Sequence, residues 1–135
     1  MNIAFEKSGG LVPAIIQDDA SGDVLMLGFM NADAFELTRR TGEVVFFSRS
    51  RNKLWKKGET SGHVLKVCDI RIDCDVDSLL IRVHPVGPGV CHEGYRSCFF
   101  RALDNDGSAR IIAGRTFSPD AVYVRESLQS RKEAK

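Results

Sequence analysis

The chain has 135 residues, 43% of them apolar and 27% charged, and its 19 Lys and Arg against 18 Asp and Glu leave a net charge of +1. That length reads as one domain, residues 1–135, able to bury roughly two-thirds of its unfolded surface. The composition excludes disordered and fibrous classes, and the near-zero charge supplies no field to drive the whole molecule onto nucleic acid or an anionic membrane.

In chain order, MNIAFEKSGG lacks the charged start, apolar middle and small-residue cleavage site of a secretory signal. No apolar run reaches the ~18 residues of a spanning helix. The expected location is therefore the cytoplasm, where Cys68, Cys74, Cys91 and Cys98 stay reduced. Gly9, Gly10 and Pro13 mark a loop, and residues 18–22 (DDASG) a turn. Asp23–Phe29 reads as a strand. Asn31 is a good N-cap, Arg39 and Arg40 suit a helix C-terminus and Gly42 a stop, so residues 32–41 are expected to be helical, with Ala32, Phe35 and Leu37 facing inward.

Glu43–Ser48 is the next strand, and the polar, glycine-bearing stretch 49–62 an exposed loop. Val64–Asp73 alternates and Ser78–Val83 is apolar, so both read as strands, with Cys68 on the core side of the first. Two prolines and three glycines make 84–97 irregular. Cys98–Leu103 is a strand, Asn105–Gly107 a turn, and Ala109–Ala113 pairs back as a hairpin. Residues 114–135 form a tail ending in a short polar helix. The expected fold is mainly β (α+β), one β-rich domain with one or two short helices, its core at 23–103 and a hairpin and tail at 104–135.

Two patterns point to metal. Residues 73–77 read Asp-Cys-Asp-Val-Asp. In extended chain, alternation puts Asp73, Asp75 and Asp77 on one face and Cys74 on the other. Such a row is either a solvated acidic strand end or a site for a hard cation, Mg²⁺ or Ca²⁺. An EF-hand is excluded, because its sixth position is Ser78 and its twelfth His84, not Gly and Glu. Cys74, Cys91 and Cys98 are either buried thiols or soft ligands that choose Zn²⁺. Cys91 lies in a Gly/Pro loop beside His92 and Gly94, which favours the ligand reading.

Residues 38–57 carry seven Lys and Arg against the single acid Glu43, with the only tryptophan, Trp55, among them. Cations for phosphate and a ring for a base suit a nucleotide. A solvated loop with Trp55 closing the core is the plainer alternative, and a single-stranded nucleic-acid binder needs more aromatics and more net charge. No GxxxxGK[ST] loop is present, so a P-loop NTPase is excluded. The residues alone suggest metal-assisted hydrolysis of a phosphorylated small molecule.

Ser48-Arg49-Ser50-Arg51, Leu54-Trp55-Lys56-Lys57-Gly58-Glu59-Thr60-Ser61-Gly62, Asp73-Cys74-Asp75-Val76-Asp77, Cys91-His92 and Ser97-Cys98-Phe99 stand in one order. Together they resemble the phosphoribosyl-AMP cyclohydrolases of histidine biosynthesis, over about residues 23–103. The resemblance implies hydrolytic opening of the adenine ring of N1-(5-phosphoribosyl)-AMP between N1 and C6, by an intertwined homodimer. It implies Mg²⁺ on Asp73, Asp75 and Asp77. It also implies one Zn²⁺ per subunit on Cys74, Cys91 and Cys98, shared between the two subunits. Zinc would acidify a water for attack on C6. His92 is the first candidate for the proton that N1 gains, followed by His84 and His63. Arg49, Arg51, Lys57 and Ser61 are candidate phosphate contacts, and Trp55 is a candidate stacking ring. Glu93 stands where many members are expected to have Thr. Some relatives carry a fused pyrophosphohydrolase, for which the remaining 30 or so residues are too few. The rival readings are a zinc-closed, non-catalytic module that binds nucleotide or RNA, and a zinc nucleotide deaminase, whose H-x-E and P-C-x-x-C pattern is missing.

Overall fold

The computed structural model describes residues 2–120. A 3-10 turn, η1 (Phe5–Ser8), leads into β1 (Val12–Asp18) and β2 (Val24–Met30). Helix α1 (Ala32–Thr41) follows, then β3 (Val45–Ser48) and β4 (Lys53–Lys56). Next come β5 (Leu65–Ile72) and β6 (Leu79–Pro85), then β7 (Arg101–Leu103) and β8 (Ala109–Ile111). Among the described residues strands predominate over helix, which makes this the mainly β, α+β fold expected.

The central sheet has the order β2-β1-β6-β5. β1 pairs antiparallel with β2 and parallel with β6, so it lies inside the sheet. Where Gly9, Gly10 and Pro13 predict only a loop, the chain forms the strand β1 from Val12 onward. The turn-forming residues masked a clean alternation: Val12, Ala14 and Ile16 are fully buried. Pro13 is tolerated because β6 pairing begins only at Ala14.

The helix begins where the cap predicts. Asn31 Oδ1 accepts from Ala34 N–H at 2.8 Å, and Gly42 closes the helix at φ 74°. Its buried positions are Ala34 and Thr38, with Phe35 and Leu37 packed at the side, whereas Ala32 is exposed. Thr38 Oγ1 donates to Ala34 O at 2.8 Å and accepts from Val45 N–H at 3.0 Å, joining α1 to β3.

Residues 49–62 contain a strand that the polar composition concealed. In β4, Trp55 stands opposite Phe46 and Leu54 opposite Phe47. Cross-strand aromatic packing holds it, with the Phe46 and Trp55 rings 5.2 Å apart. Asn52, at φ 53°, allows the tight turn between β3 and β4. Cys68 is exposed, not core, because the ladder slips between Val67 and Asp69 and turns it outward. The β7–β8 hairpin forms as expected, with β7 shorter than Cys98–Leu103. The expected tail helix lies outside the described residues.

Candidate active site

Asp73, Asp75 and Asp77 do come together, but not by strand alternation. Residues 73–78 form the turn between β5 and β6, and Val76 takes a positive φ of 59°. Asp73 Oδ1 accepts from the Asp77 and Ser78 N–H groups at 3.0 and 3.2 Å. The three carboxylates place oxygens within 4.8 Å of one another, an arrangement able to hold a hard cation. Lys7, from η1, stands 3.7 Å from Asp75 and 3.2 Å from Asp77. Hydrogen bonding to Asp77 and Asp73 raises the Asp75 carboxyl above its ordinary value. Hydrogen bonding to Asp75 and Lys7 holds Asp77 below its own.

Cys91 and Cys98 form a separate site. Val90 N–H bonds Arg96 O and Cys91 N–H bonds Tyr95 O, both at 3.1 Å, folding residues 90–96 into a tight loop. Glu93 N–H points at Cys91 Sγ, 3.5 Å away. Cys98 N–H donates to Leu25 O of β2 at 2.7 Å. Tyr95 and Phe100 stack at 3.7 Å beneath the loop. Arg96 anchors it by pairing with Asp18, with Asp23 at 2.7 Å and with Ser21 at 3.0 Å. Burial, then the adjacent Cys91, push the Cys98 thiol up to about 11, against the pull of the Lys57 ammonium. Paired soft sulfurs of this kind suit zinc.

Cys74 does not join them. It lies in the β5–β6 turn, while Cys98 is bonded to β2, the opposite edge of the sheet. At about 4.8 Å per strand, roughly 10 Å or more of sheet separates them. Among the described residues, the aspartates are the only group of three or more His, Cys, Asp or Glu close enough to share an ion in one chain.

A cleft of about 550 Å³ lies between β2 and the β3–β4 hairpin, lined by Gly28, Phe29, Phe46, Phe47, Ser48, Arg49, Ser50 and Trp55. The Arg49 guanidinium covers the Phe29 ring at 4.0 Å. The structure thus brings Arg49 and Trp55 to one cleft. Arg51 is exposed on the hairpin turn beside it, with its N–H on Ser48 Oγ at 3.2 Å. Lys57 Nζ donates to Val90 O at 2.6 Å and lies 5.8 Å from the ring of Trp55, which lines the cleft. Ser61 Oγ caps the His63 N–H at 3.2 Å. His92 is exposed next to Cys91, and His84 is exposed on β6. Sequence reasoning missed Phe29, Phe47, Arg96 and Lys7. Phe29 and Phe47 were legible as strand residues but not as a shared wall.

Comparison with known proteins bears on the family. The family model for phosphoribosyl-AMP cyclohydrolase matches residues 26–100. A phosphoribosyl-AMP cyclohydrolase of Solibacter usitatus is 58% identical over 127 residues, 94% of this chain and 100% of that protein. The same-named proteins of Nitratidesulfovibrio vulgaris and Methanosarcina barkeri are 53% and 52% identical, over 88% and 89% of this chain and 94% and 89% of theirs. A match over more than half of the chain, with relatives this similar along nearly their whole length, places the chain in the phosphoribosyl-AMP cyclohydrolase family.

Proposed function

We propose that this protein is a zinc-dependent hydrolase that opens the adenine ring of N1-(5-phosphoribosyl)-AMP between N1 and C6, in histidine biosynthesis. The product is the formimino-aminoimidazole carboxamide ribotide. The observation that carries the reading is the link between a soft-ligand pair and a nucleotide-sized cleft. Lys57 touches the Cys91 loop through Val90 and lies beside Trp55, which walls the cleft. A phosphorylated purine fits such a cleft, with rings for the base and Arg49 and Arg51 for the phosphates. Ser61 is a further phosphate contact.

Cys91 and Cys98 would hold the zinc from one subunit and Cys74 from the other. The separation of Cys74 within one chain supports this reading, because zinc–sulfur bonds of about 2.3 Å tolerate no such gap. The exposed apolar side chains Phe99, Leu103, Ile111 and Ile112 just beyond Cys98 support it too, as a surface a second copy would cover. Zinc held by three thiolates would supply an acidified water, a nucleophile near neutral pH. The cleft would orient the purine ring, with Arg49 and Trp55 as its contacts. Water adds oxygen to C6, the C6–N1 bond breaks, and of the water's two protons one goes to N1 and the other to the exocyclic nitrogen, which becomes the carboxamide. His92, exposed beside Cys91, would move the proton that N1 gains. Asp73, Asp75 and Asp77 would hold Mg²⁺, whose charge would neutralise substrate phosphate.

The enzyme is read as one domain spanning 1–135 and working in the cytoplasm. No helix among the described residues is long and apolar enough to cross a membrane. Ring opening followed by ultraviolet absorbance tests the reading, with metal-stripped protein, with Zn²⁺, and with Zn²⁺ plus Mg²⁺. Activity should require Zn²⁺ and rise with Mg²⁺. Folded, zinc-loaded protein without turnover would discard the enzyme in favour of a zinc-bridged binding module.

A further inference from the structure

Residues 114–117 lie beyond the β7–β8 hairpin and beyond residue 100, where the family match ends. They run across the loop that carries Cys91. Arg115 Nε donates to Glu93 O at 2.8 Å, and the Arg115 guanidinium lies 5.1 Å from the Tyr95 ring. Thr116 N–H donates to Gly94 O at 2.8 Å, and Thr116 Oγ1 donates to Pro88 O at 2.8 Å. Phe117 meets the His63 ring edge-on, with centroids 5.1 Å apart and planes at 89°.

The fit is close enough to constrain the glycines beneath it. A Cβ at Gly89 would stand 2.9 Å from both the Phe117 and the Thr116 side chains, and one at Gly94 only 2.6 Å from Phe117 O. A Cβ at Gly87 would strike the His63 ring at 2.5 Å. The contacts also close a circuit. Lys57, at the start of the turn that ends in His63, bonds Val90. The Pro88–Gly94 loop bonds Thr116, and Phe117 returns to His63. Three segments distant in sequence each touch the other two.

We propose that residues 114–117 are a strap that positions the Cys91 loop for ring opening, with Thr116 and Phe117 as its positioning residues. This rests on the cyclohydrolase reading. The Thr116 hydroxyl fixes the loop before Cys91 and the Thr116 N–H fixes it after, so the loop cannot widen. Phe117 anchors the strap to the turn that follows Lys57. Neither residue touches substrate. They act through the direction in which Cys91 presents its sulfur, and small misplacements of that kind can cost up to about 100-fold in rate.

The test uses full-length, metal-loaded Thr116→Val, Thr116→Ser, Phe117→Ala and Phe117→Leu. Two readouts are taken: kcat and KM for ring opening, and the cobalt–thiolate absorption of protein loaded with Co²⁺ instead of Zn²⁺. Thr116→Val should lower kcat about 10-fold, move KM much less and perturb the cobalt spectrum. Thr116→Ser, which keeps the hydroxyl, should restore both. Phe117→Ala should resemble Thr116→Val, with Phe117→Leu in between. Wild-type kcat and cobalt spectrum in Thr116→Val would overturn the strap, as would a Ser variant as impaired as Val. Should Val or Ala fail to fold, the Ser and Leu variants decide: a near-wild-type Ser variant beside an intermediate Leu variant supports the strap, and a deficit in the Ser variant or wild-type values in the Leu variant overturn it. If the wild type opens no ring, the functional reading fails instead, and the cobalt spectrum alone still judges the strap.

Discussion

Gly28 sits in β2 where a methyl group has no room. A Cβ there would lie 2.5 Å from two atoms of the Phe46 ring, which is fully buried and also lines the cleft. Gly28→Ala should therefore destabilise by about 1–3 kcal/mol through overpacking. A denaturation midpoint equal to wild type would show that Phe46 yields freely. The acidic turn offers a second test at this scale. Asp75→Asn removes one of three carboxylate ligands but touches neither Cys91 nor Cys98. It should weaken the Mg²⁺ dependence of turnover while zinc content stays near wild type. Parallel loss of both metals would mean the two sites are not independent. The carboxylate group could be read from residues 73–77, yet the geometric reason could not. A left-handed Val76 and two hydrogen bonds to Asp73 gather the acids in a turn, and no alternation rule anticipates that. Cys68 misled for a related reason: a slip of register in β5 reverses its direction, and bulges leave little trace in a short apolar pattern.

The elements divide by how local their causes are. Helix α1 was legible to its ends because Asn31 and Gly42 act on their immediate neighbours. β1 and β4 were not, because each is held by partners far along the chain: Leu79–Val83 for one, aromatic residues of β3 for the other. The joint between α1 and β3 is a single hydroxyl. Thr38→Val keeps the shape but leaves the buried Val45 N–H without its acceptor. It should cost about 1–3 kcal/mol, with Thr38→Ser recovering most of that. Equal stability of the Val and Ser variants would contradict this role. The joint between β1 and the Cys91 loop is ionic. Burial works to raise the Asp18 carboxyl, but Ala20 and Ser21 N–H groups and the Arg96 guanidinium outweigh it and hold the group below its ordinary 3.8. The unfolded chain then takes up the proton at higher pH than the folded one. This stabilisation is complete above the ordinary carboxylate value and is lost as pH falls through the depressed folded value. Acid titration should thus destabilise wild type more than Asp18→Asn below about pH 4. Parallel stability curves for the two would remove Asp18 from the account.

At the scale of the molecule, one chain holds every part of the proposed chemistry but does not assemble it. The carboxylates and Cys74 lie in the β5–β6 turn; Cys98 is bonded to β2, and Cys91 lies in the loop that leads to it. The sequence shows four cysteines and cannot show this separation, which follows from the strand order β2-β1-β6-β5. The proposal of a shared zinc rests on the resemblance, and the separation of Cys74 within one chain is what such sharing requires. Subunit mixing tests that account most directly. Cys74→Ser and Cys98→Ser chains are each expected to be inactive alone. Co-refolded in equal amounts, half of the dimers pair one of each, and such a dimer has one intact site of two. The mixture should recover about a quarter of wild-type ring opening, with a matching fraction of bound zinc. A mixture as inactive as either parent, with mixed dimers confirmed by mass, would contradict a site built from two subunits.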